Sequence, residues 1–506
     1  MKSLTGSITK VLLLSVILGV LGFAAFTAFI AESWIIGTVL MVVLVATLVV
    51  YATGKLVPAK FLFPGLVFLV IFSLAPILYT QYMSLFNYKS GNLISREEAI
   101  DQLERVGFRQ DPQSTTYRFE LGELNGEVAA VLQNDQDGSA QLAFLNTDTS
   151  IDLGVVAEPV AVAEALGFVP ATSDELARVG EGLLDYQFQL GEGWVAIPQS
   201  FRSAARLTQQ YFYDPVTDTI LDRINDQVFV DNGNGNFALE SNPDRILFPG
   251  WRQLNGFENY SALVTKPEIS GPFFNVFVWT ITFSFLTIIT MFAAGLALAV
   301  ALDKKIRFRN LYRSLLILPY AMPSLMSILI WAGMFNREFG AVNRLFGTEL
   351  FWLGDPFLAK LVILIVNLWL GFPYFYLIST GALQALPSEL EEAAAIDGAS
   401  PTQIFFQIKF PMLFQILSPL IIAAFAFNFN NFNLIYLLTG GGPTEVLAGE
   451  RAGATDILIT YTYKTAFLGT EQNLGLASAI SVIMFIIVGA LSVWSLRRTK
   501  VLEAVQ

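Results

Sequence analysis

Residues 269–302 read ISGPFFNVFVWTITFSFLTIITMFAAGLALAVAL, thirty-four positions without a charged side chain. An α-helix rises about 1.5 Å per residue and a bilayer's hydrocarbon core is about 30 Å thick, so about 20 apolar residues suffice to cross it. Seven more charge-free runs recur, at 11–31, 33–54, 61–88, 314–336, 361–388, 410–444 and 472–496. These eight runs predict an α-helical polytopic membrane protein with eight transmembrane helices. Composition agrees: 54% of the 506 residues are hydrophobic and 14% are charged, where soluble chains carry about 25% charge. Lys2 and Lys10 precede the first run, as in a signal peptide. Its apolar core is too long for one and Phe29-Ile30-Ala31 is a poor cleavage site, so a retained helix is expected.

Eight spans bring both ends to one face. The N-terminus, loops 54–60, 303–313 and 389–409 and the tail hold 13 Lys and Arg, against 5 in the short loops opposite. The positive-inside rule puts both termini in the cytoplasm and the long segment after the third span outside. That segment, 90–270, carries 28 acids and 11 bases, a net charge of −17, leaving +5 for the rest. Such a surface excludes nucleic-acid binding. Ser95 with Glu98 forms a capping-box pattern before a short helix at 97–106. Alternating stretches at 116–121, 127–132 and 141–145, broken at Asn125-Gly126 and Asp137-Gly138, predict strands joined by hairpins. The expected organisation is an N-terminal membrane segment, 1–89, a strand-rich extracytoplasmic domain, 90–270, and a membrane core, 271–506. The loop Asp231–Asn236 lacks the spacing and terminal Glu of a calcium loop and reads as a plain turn. The chain has no Cys and no His, which removes disulfides, thiolate and most zinc sites and the usual general base.

The later spans are not simple anchors. Pro319-Tyr320-Ala321-Met322-Pro323 interrupts the fifth, Pro373 lies in the sixth, and Pro419 precedes Phe427-Asn428-Phe429-Asn430-Asn431-Phe432-Asn433 in the seventh. Proline kinks helices, and broken helices in lipid line cavities. Asn brings donors and acceptors without charge. Beside aromatic rings it suits a neutral polyol such as a sugar, and it equally suits bonding between helices. No charged residue sits in these spans, which argues against ion coupling.

Between the sixth and seventh spans lies the cytoplasmic loop 388–411. Ser388 with Glu391 and Ser400 with Gln403 form capping-box patterns, Gly398 is a helix terminator, and Pro401 takes a first helical position. Pro411 is expected to stop the second helix. Two short helices with a small Ala face, acidic flanks and Phe405-Phe406 make a shape that docks into another protein.

This loop resembles the EAA loop of ABC-importer permeases: Glu392, Ala393, Ala394, Gly398, Ile408 and Pro411 match its pattern, with Phe410 in place of the usual Leu. From about 273 to 496 the resemblance extends to the MalF-type maltose/maltodextrin permeases of the binding-protein-dependent sugar permease family, through Leu318-Pro319-Tyr320, the Asn-rich stretch, Leu438-Thr439 and Gly441-Gly442-Pro443. It implies a type I importer permease in the bacterial inner membrane with a periplasmic inserted domain. It implies that maltose contacts Tyr320, Asn367, Leu370, Gly371, Tyr374, Phe427, Asn428 and Asn431. It assigns coupling to a partner ATPase to Glu392, Ala393, Ala394, Asp397, Gly398, Ile408 and Pro411. The partners implied are a MalG-like permease, a MalK-like ATPase dimer and a MalE-like periplasmic maltose-binding protein. No catalytic residue, metal or cofactor is expected on this chain, since it lacks a P-loop; ATP and magnesium belong to the partner ATPase. Two other readings stand beside it: a membrane-anchored glycan-active enzyme using acids such as Asp135 and Asp137, and a sensor or channel that needs no nucleotide.

Overall fold

A computed structural model describes residues 4–31, 33–52, 57–110, 115–145, 147, 149–179, 182–183, 186–191, 194–303, 307–444, 452–468 and 472–503. Lys2, Lys55, Lys304, Lys305 and Arg451, used in the charge count, and Gly54, the end of the second apolar run, lie outside them. The chain divides into two compact units, one of residues 1–84 with 478–506, the other of 85–477.

The first unit contains α1 (Leu4–Ile30), α2 (Trp34–Ala52), α3 (Val57–Leu69), a π-helical turn (Val70–Leu74) and α4 (Ala75–Met83). The last three elements run on as one apolar span, Val57–Met83. Ala25 on α1 and Thr47 on α2 are buried, and the Thr47 hydroxyl donates back to the Val43 carbonyl at 2.7 Å.

The second unit begins with the inserted, strand-rich region. Ser95 caps α5 (Arg96–Val106) through a complete box with Glu98. Strands β1 (Phe108–Gln110), β2 (Thr116–Leu124), β3 (Glu127–Asn134), β4 (Ser139–Phe144) and β5 (Ser150–Val155) follow. Asn125 and Gly126 both have positive φ, 55° and 85°, as a two-residue hairpin turn between twisted strands requires. Then come α6 (Pro159–Ala165), β6 (Val169–Pro170), α7 (Ser173–Val179), β7 (Phe188–Gly191), β8 (Trp194–Ser200) and β9 (Ser203–Gln209). These strands form one antiparallel sheet in the order β5-β4-β3-β2-β9-β8-β7, with β1 on β9 and β6 on β2. A bridge between Leu145 and Phe188 curls it toward closure. Its core holds Tyr117, Phe119, Leu132 and Phe188.

A second sheet is a meander of β10 (Tyr211–Asp214), β11 (Thr219–Asp222), β12 (Gln227–Asp231), β13 (Phe237–Leu239) and β14 (Asn242–Ile246). It packs on Ala99, Ile100 and Leu103 of α5. The Asp231–Asn236 loop is a plain turn: Asp231 accepts from the Gly233 amide and Asn232 from those of Asn234 and Asn236. Among the described residues no cluster of acids comes together to hold a metal. Asp135 pairs with Arg118, and Ser139 holds the Asp137 carboxyl below the usual range through its hydroxyl and amide. An ionised acid tied to its own turn is not poised as a general acid.

The two ends of the inserted region are stitched together. Buried Asn92 donates to the Gly235 and Trp251 carbonyls and to Asn236, and Phe86 bridges Leu254. After α8 (Glu258–Thr265), the membrane core comprises α9 (Pro267–Ala301), α10 (Arg309–Ala321), α11 (Ser324–Met334), α12 (Ala341–Phe346) and α13 (Pro356–Ala385). It continues with α14 (Ser388–Ile396), α15 (Pro401–Ile404), a π turn (Phe405–Lys409), α16 (Phe410–Phe429), α17 (Phe432–Thr439), α18 (Leu458–Phe467) and α19 (Leu474–Glu503), the last continuing into the first unit. Among the described residues six helices are long and apolar enough to cross a membrane, or seven if α10 with α11, bent by 91° at their break, is counted as one span. The shorter apolar helix at 36–52 accounts for the eighth run.

The structure corrects three expectations. Pro373 and Pro419 lie inside unbroken helices; one lost hydrogen bond is tolerated where neighbouring packing holds the helix. Pro411 does not end the loop's second helix, because Pro401–Phe429 is one apolar helix in which the wider π turn precedes Pro411. Ser388 does not cap: α14 starts from Pro387, in extended conformation, with no side-chain cap.

Phe119 is 2% exposed at the centre of the large sheet. Phe119→Ala is expected to cost about 3–5 kcal/mol, read as a lowered unfolding midpoint of the inserted region by limited proteolysis in membranes.

Candidate functional site: a polar cavity between broken helices

Met322 precedes Pro323, which forces it into extended backbone at φ −81° and ψ 142°. That ends α10, and α11 restarts at 91°. Tyr320 is left at the mouth of the break. On α13, Asn367, Leu370, Gly371 and Tyr374 fall at i, i+3, i+4 and i+7, one helix face. Phe427 and Asn428 sit at the end of α16. Asn431 caps α17, its side chain accepting from the Leu434 amide at 3.4 Å. All eight line one cavity of about 570 Å³, a volume in the range of ligand pockets. Phe427 is 70% exposed and Tyr320 56% exposed, whereas Asn367 and Asn428 are 3% and 4% exposed.

Those two buried amides are bonded to each other. Asn367 donates to Asn428 Oδ1 at 2.8 Å and to Thr287 Oγ1 at 3.2 Å, and Asn428 donates to the Ala424 carbonyl at 2.9 Å. They therefore join α9, α13 and α16 while lining the cavity. Gly371 leaves room for the Met291 thioether, itself on the cavity wall, whose end an added Cβ would displace.

The loop 388–411 is built as an exposed knob. Gly398, at φ 84°, ends α14 with its amide donating to the Ala395 carbonyl and that of Ala399 to the Ala394 carbonyl, the paired bonds of a left-handed helix terminus. The Ser400–Gln403 box starts α15, and Lys409 pairs with Glu391. Glu392, Ala393, Asp397, Gly398 and Pro411 are exposed, Ile408 is half-buried and Ala394 is buried. From this knob a file of aromatic rings runs inward: Phe406, Phe410, Phe414, Phe292, Phe375 and Tyr374, with successive centroids 5.3–6.5 Å apart. Its last ring lines the cavity.

Comparison with known proteins places the chain. Residues 291–499 match the binding-protein-dependent transport system inner membrane component, and 67–153 match the N-terminal region of the transmembrane subunit in PBP-dependent ABC transporters. The maltose/maltodextrin transport system permease protein MalF of Vibrio cholerae is 36% identical over 91% of this chain and 89% of its own length. The chain belongs to this permease family. The Escherichia coli K12 member is 35% identical over 90% of this chain and 89% of its own. A bacterial ABC transporter structure involved in importing the polysaccharide alginate aligns over 48% of this chain and 83% of its own at 17% identity, TM-score 0.42.

The permease is thus a transport subunit of an ABC importer, a multi-pass inner-membrane protein and not an enzyme. Several of its built features lie outside the eight positions assigned from sequence, although Met322 and Asn433 stand in the Pro-interrupted and Asn-rich stretches quoted above. Met291, Met322, Ser324 and Asn433 also line the cavity. Beyond α17, Asp456 is fully buried and accepts from the Gly453 amide, Thr460 Oγ1 and Lys464 Nζ at 2.7, 2.9 and 2.7 Å. Gly441, at φ 79°, packs so tightly on Asp456 that any Cβ would collide with it. Thr439 bonds Thr455, and the Leu458 amide donates to Thr280 Oγ1. This anchors the far end of the helix that Asn431 starts. Its traces in the sequence were the Leu438-Thr439 and Gly441-Gly442-Pro443 motifs.

In a double-mutant cycle of Asn367→Leu and Asn428→Leu, the coupling in thermal unfolding of the purified permease is expected at about 0.5–1.5 kcal/mol. Additive effects would mean that the pair does not hold the helices together.

Proposed function

We propose that this permease carries maltose and maltodextrins from a periplasmic binding protein into the cytoplasm by alternating access, driven by ATP hydrolysis on partner subunits. The observation that carries the reading is the gathering of Tyr320, Asn367, Leu370, Gly371, Tyr374, Phe427, Asn428 and Asn431 on one cavity wall. Rings present faces to sugar C–H surfaces and amides bond hydroxyls. The relatives' names supply the sugar. A different oligosaccharide or polyol is the near alternative, since nothing in this chemistry counts glucosyl units.

On this reading the chain has three parts: 1–89, membrane segment; 90–270, periplasmic domain; 271–506, permease core. Both termini lie in the cytoplasm. The partners are a MalG-like permease, a MalK-like ATPase dimer carrying ATP and magnesium, and a MalE-like binding protein. Glu392, Ala393, Ala394, Asp397, Gly398, Ile408 and Pro411 form the coupling knob. ATPase closure pushes on it, and the conformer favoured by that contact gains population.

The test is ATP hydrolysis by the complete importer in proteoliposomes, with loaded binding protein. Maltose is expected to stimulate hydrolysis in the parent. Glu392→Lys reverses an exposed charge at the knob and is expected to abolish the stimulation, while Phe427→Ala is expected to lower maltose uptake about tenfold with the knob intact. Stimulation by another sugar alone would overturn the maltose assignment. Hydrolysis indifferent to every sugar would overturn the transport reading.

A further inference from the structure

The cavity's four amide side chains are not equally free. Asn367 has both N–H donors engaged, on Thr287 and Asn428. Asn428 has its oxygen and one N–H engaged, on Asn367 and the Ala424 carbonyl. Asn431 has its oxygen engaged in capping α17. Asn433 is different. It lines the same cavity, its residue is exposed, and its side chain makes no hydrogen bond within the described protein. It is not needed as the cap of α17, because Asn431 holds that role. Asn is also a poor helix former, so its place at the second position of α17 gains nothing from propensity.

A carboxamide presents an acceptor and a donor side by side. Adjacent hydroxyls on a pyranose ring offer the complementary pair. We propose that Asn433 is a further sugar-binding residue of this permease, gripping two neighbouring hydroxyls of the transported oligosaccharide. This rests on the transport reading above. Asn433 is the second residue of α17, and Ser324, where the chain resumes after the helix break, lines the same cavity. Because a group that grips with both atoms rejects a ligand lacking either hydroxyl, Asn433 is a specificity position as well as an affinity one.

The test compares uptake of maltose and maltotriose by the complete importer in proteoliposomes at saturating binding protein. Asn433→Leu keeps the side-chain shape and removes both polar atoms; Asn433→Asp keeps the acceptor. Asn433→Leu is expected to reduce uptake of at least one of the two sugars about fivefold or more, to change the maltose-to-maltotriose ratio, and to retain the parent's share of copurifying second permease. Asn433→Asp is expected to recover part of the loss. Asn433→Leu within twofold of the parent for both sugars would overturn the assignment. So would a loss that merely tracks the amount of copurifying permease, which would make Asn433 a subunit contact. If the parent itself takes up neither sugar, the transport reading falls and this assignment with it; a silent Asn433→Leu in an active parent overturns this assignment alone.

Discussion

Lipid offers no hydrogen-bond partner to a peptide group, and every feature of the membrane core answers to that. Each span closes its backbone bonds internally, as α9 does over 35 residues. Hydroxyls within the spans turn back on their own helix, as Thr280 does to the Val276 carbonyl and Ser284 to the Thr280 carbonyl. Where the helix is interrupted, between α10 and α11 and between α16 and α17, residues flanking both breaks border one cavity. Irregular backbone at membrane depth is tolerated only there. The interruption and the cavity are thus one structural event.

Fold class was legible because hydrophobic length is additive: each charge-free run declares itself without reference to its neighbours. The same holds for local caps that close within four residues, such as Ser95–Glu98 and Ser400–Gln403. Ser388 was misleading because Pro387 already directs the chain into α14, and the capping bond is not made. Pro373 and Pro419 were misleading because their effect depends on packing from other helices. A proline removes one bond, but whether the helix breaks is decided by what surrounds it. Gly295 makes the point from the other side: an added Cβ would lie 2.6 Å from the Tyr376 backbone nitrogen. The close crossing of α9 and α13 depends on a residue that no periodicity singles out.

The site was partly legible for a similar reason. Four of its members share one face of α13, a spacing that can be read from the chain. Their meeting with Tyr320, Phe427, Asn428 and Asn431 was legible only through resemblance. The dual role of Asn367 and Asn428 was not legible, since sequence posed sugar binding and helix bonding as alternatives and the geometry joins lining to bonding. Asp456 was invisible: its partners Gly441, Gly453, Thr460 and Lys464 spread over a long stretch, and none belongs to a repeating pattern.

None of the residues lining the cavity is a carboxylate, an amine or a guanidinium. A transmembrane potential does work of about 2.3 kcal/mol per elementary charge per 100 mV, and a cavity lined by rings, amides and thioethers gives it nothing to act on. On the transport reading proposed above, with a neutral cargo aboard, the lining itself gives the cell's voltage no charge with which to pull the cargo inward or hold it out.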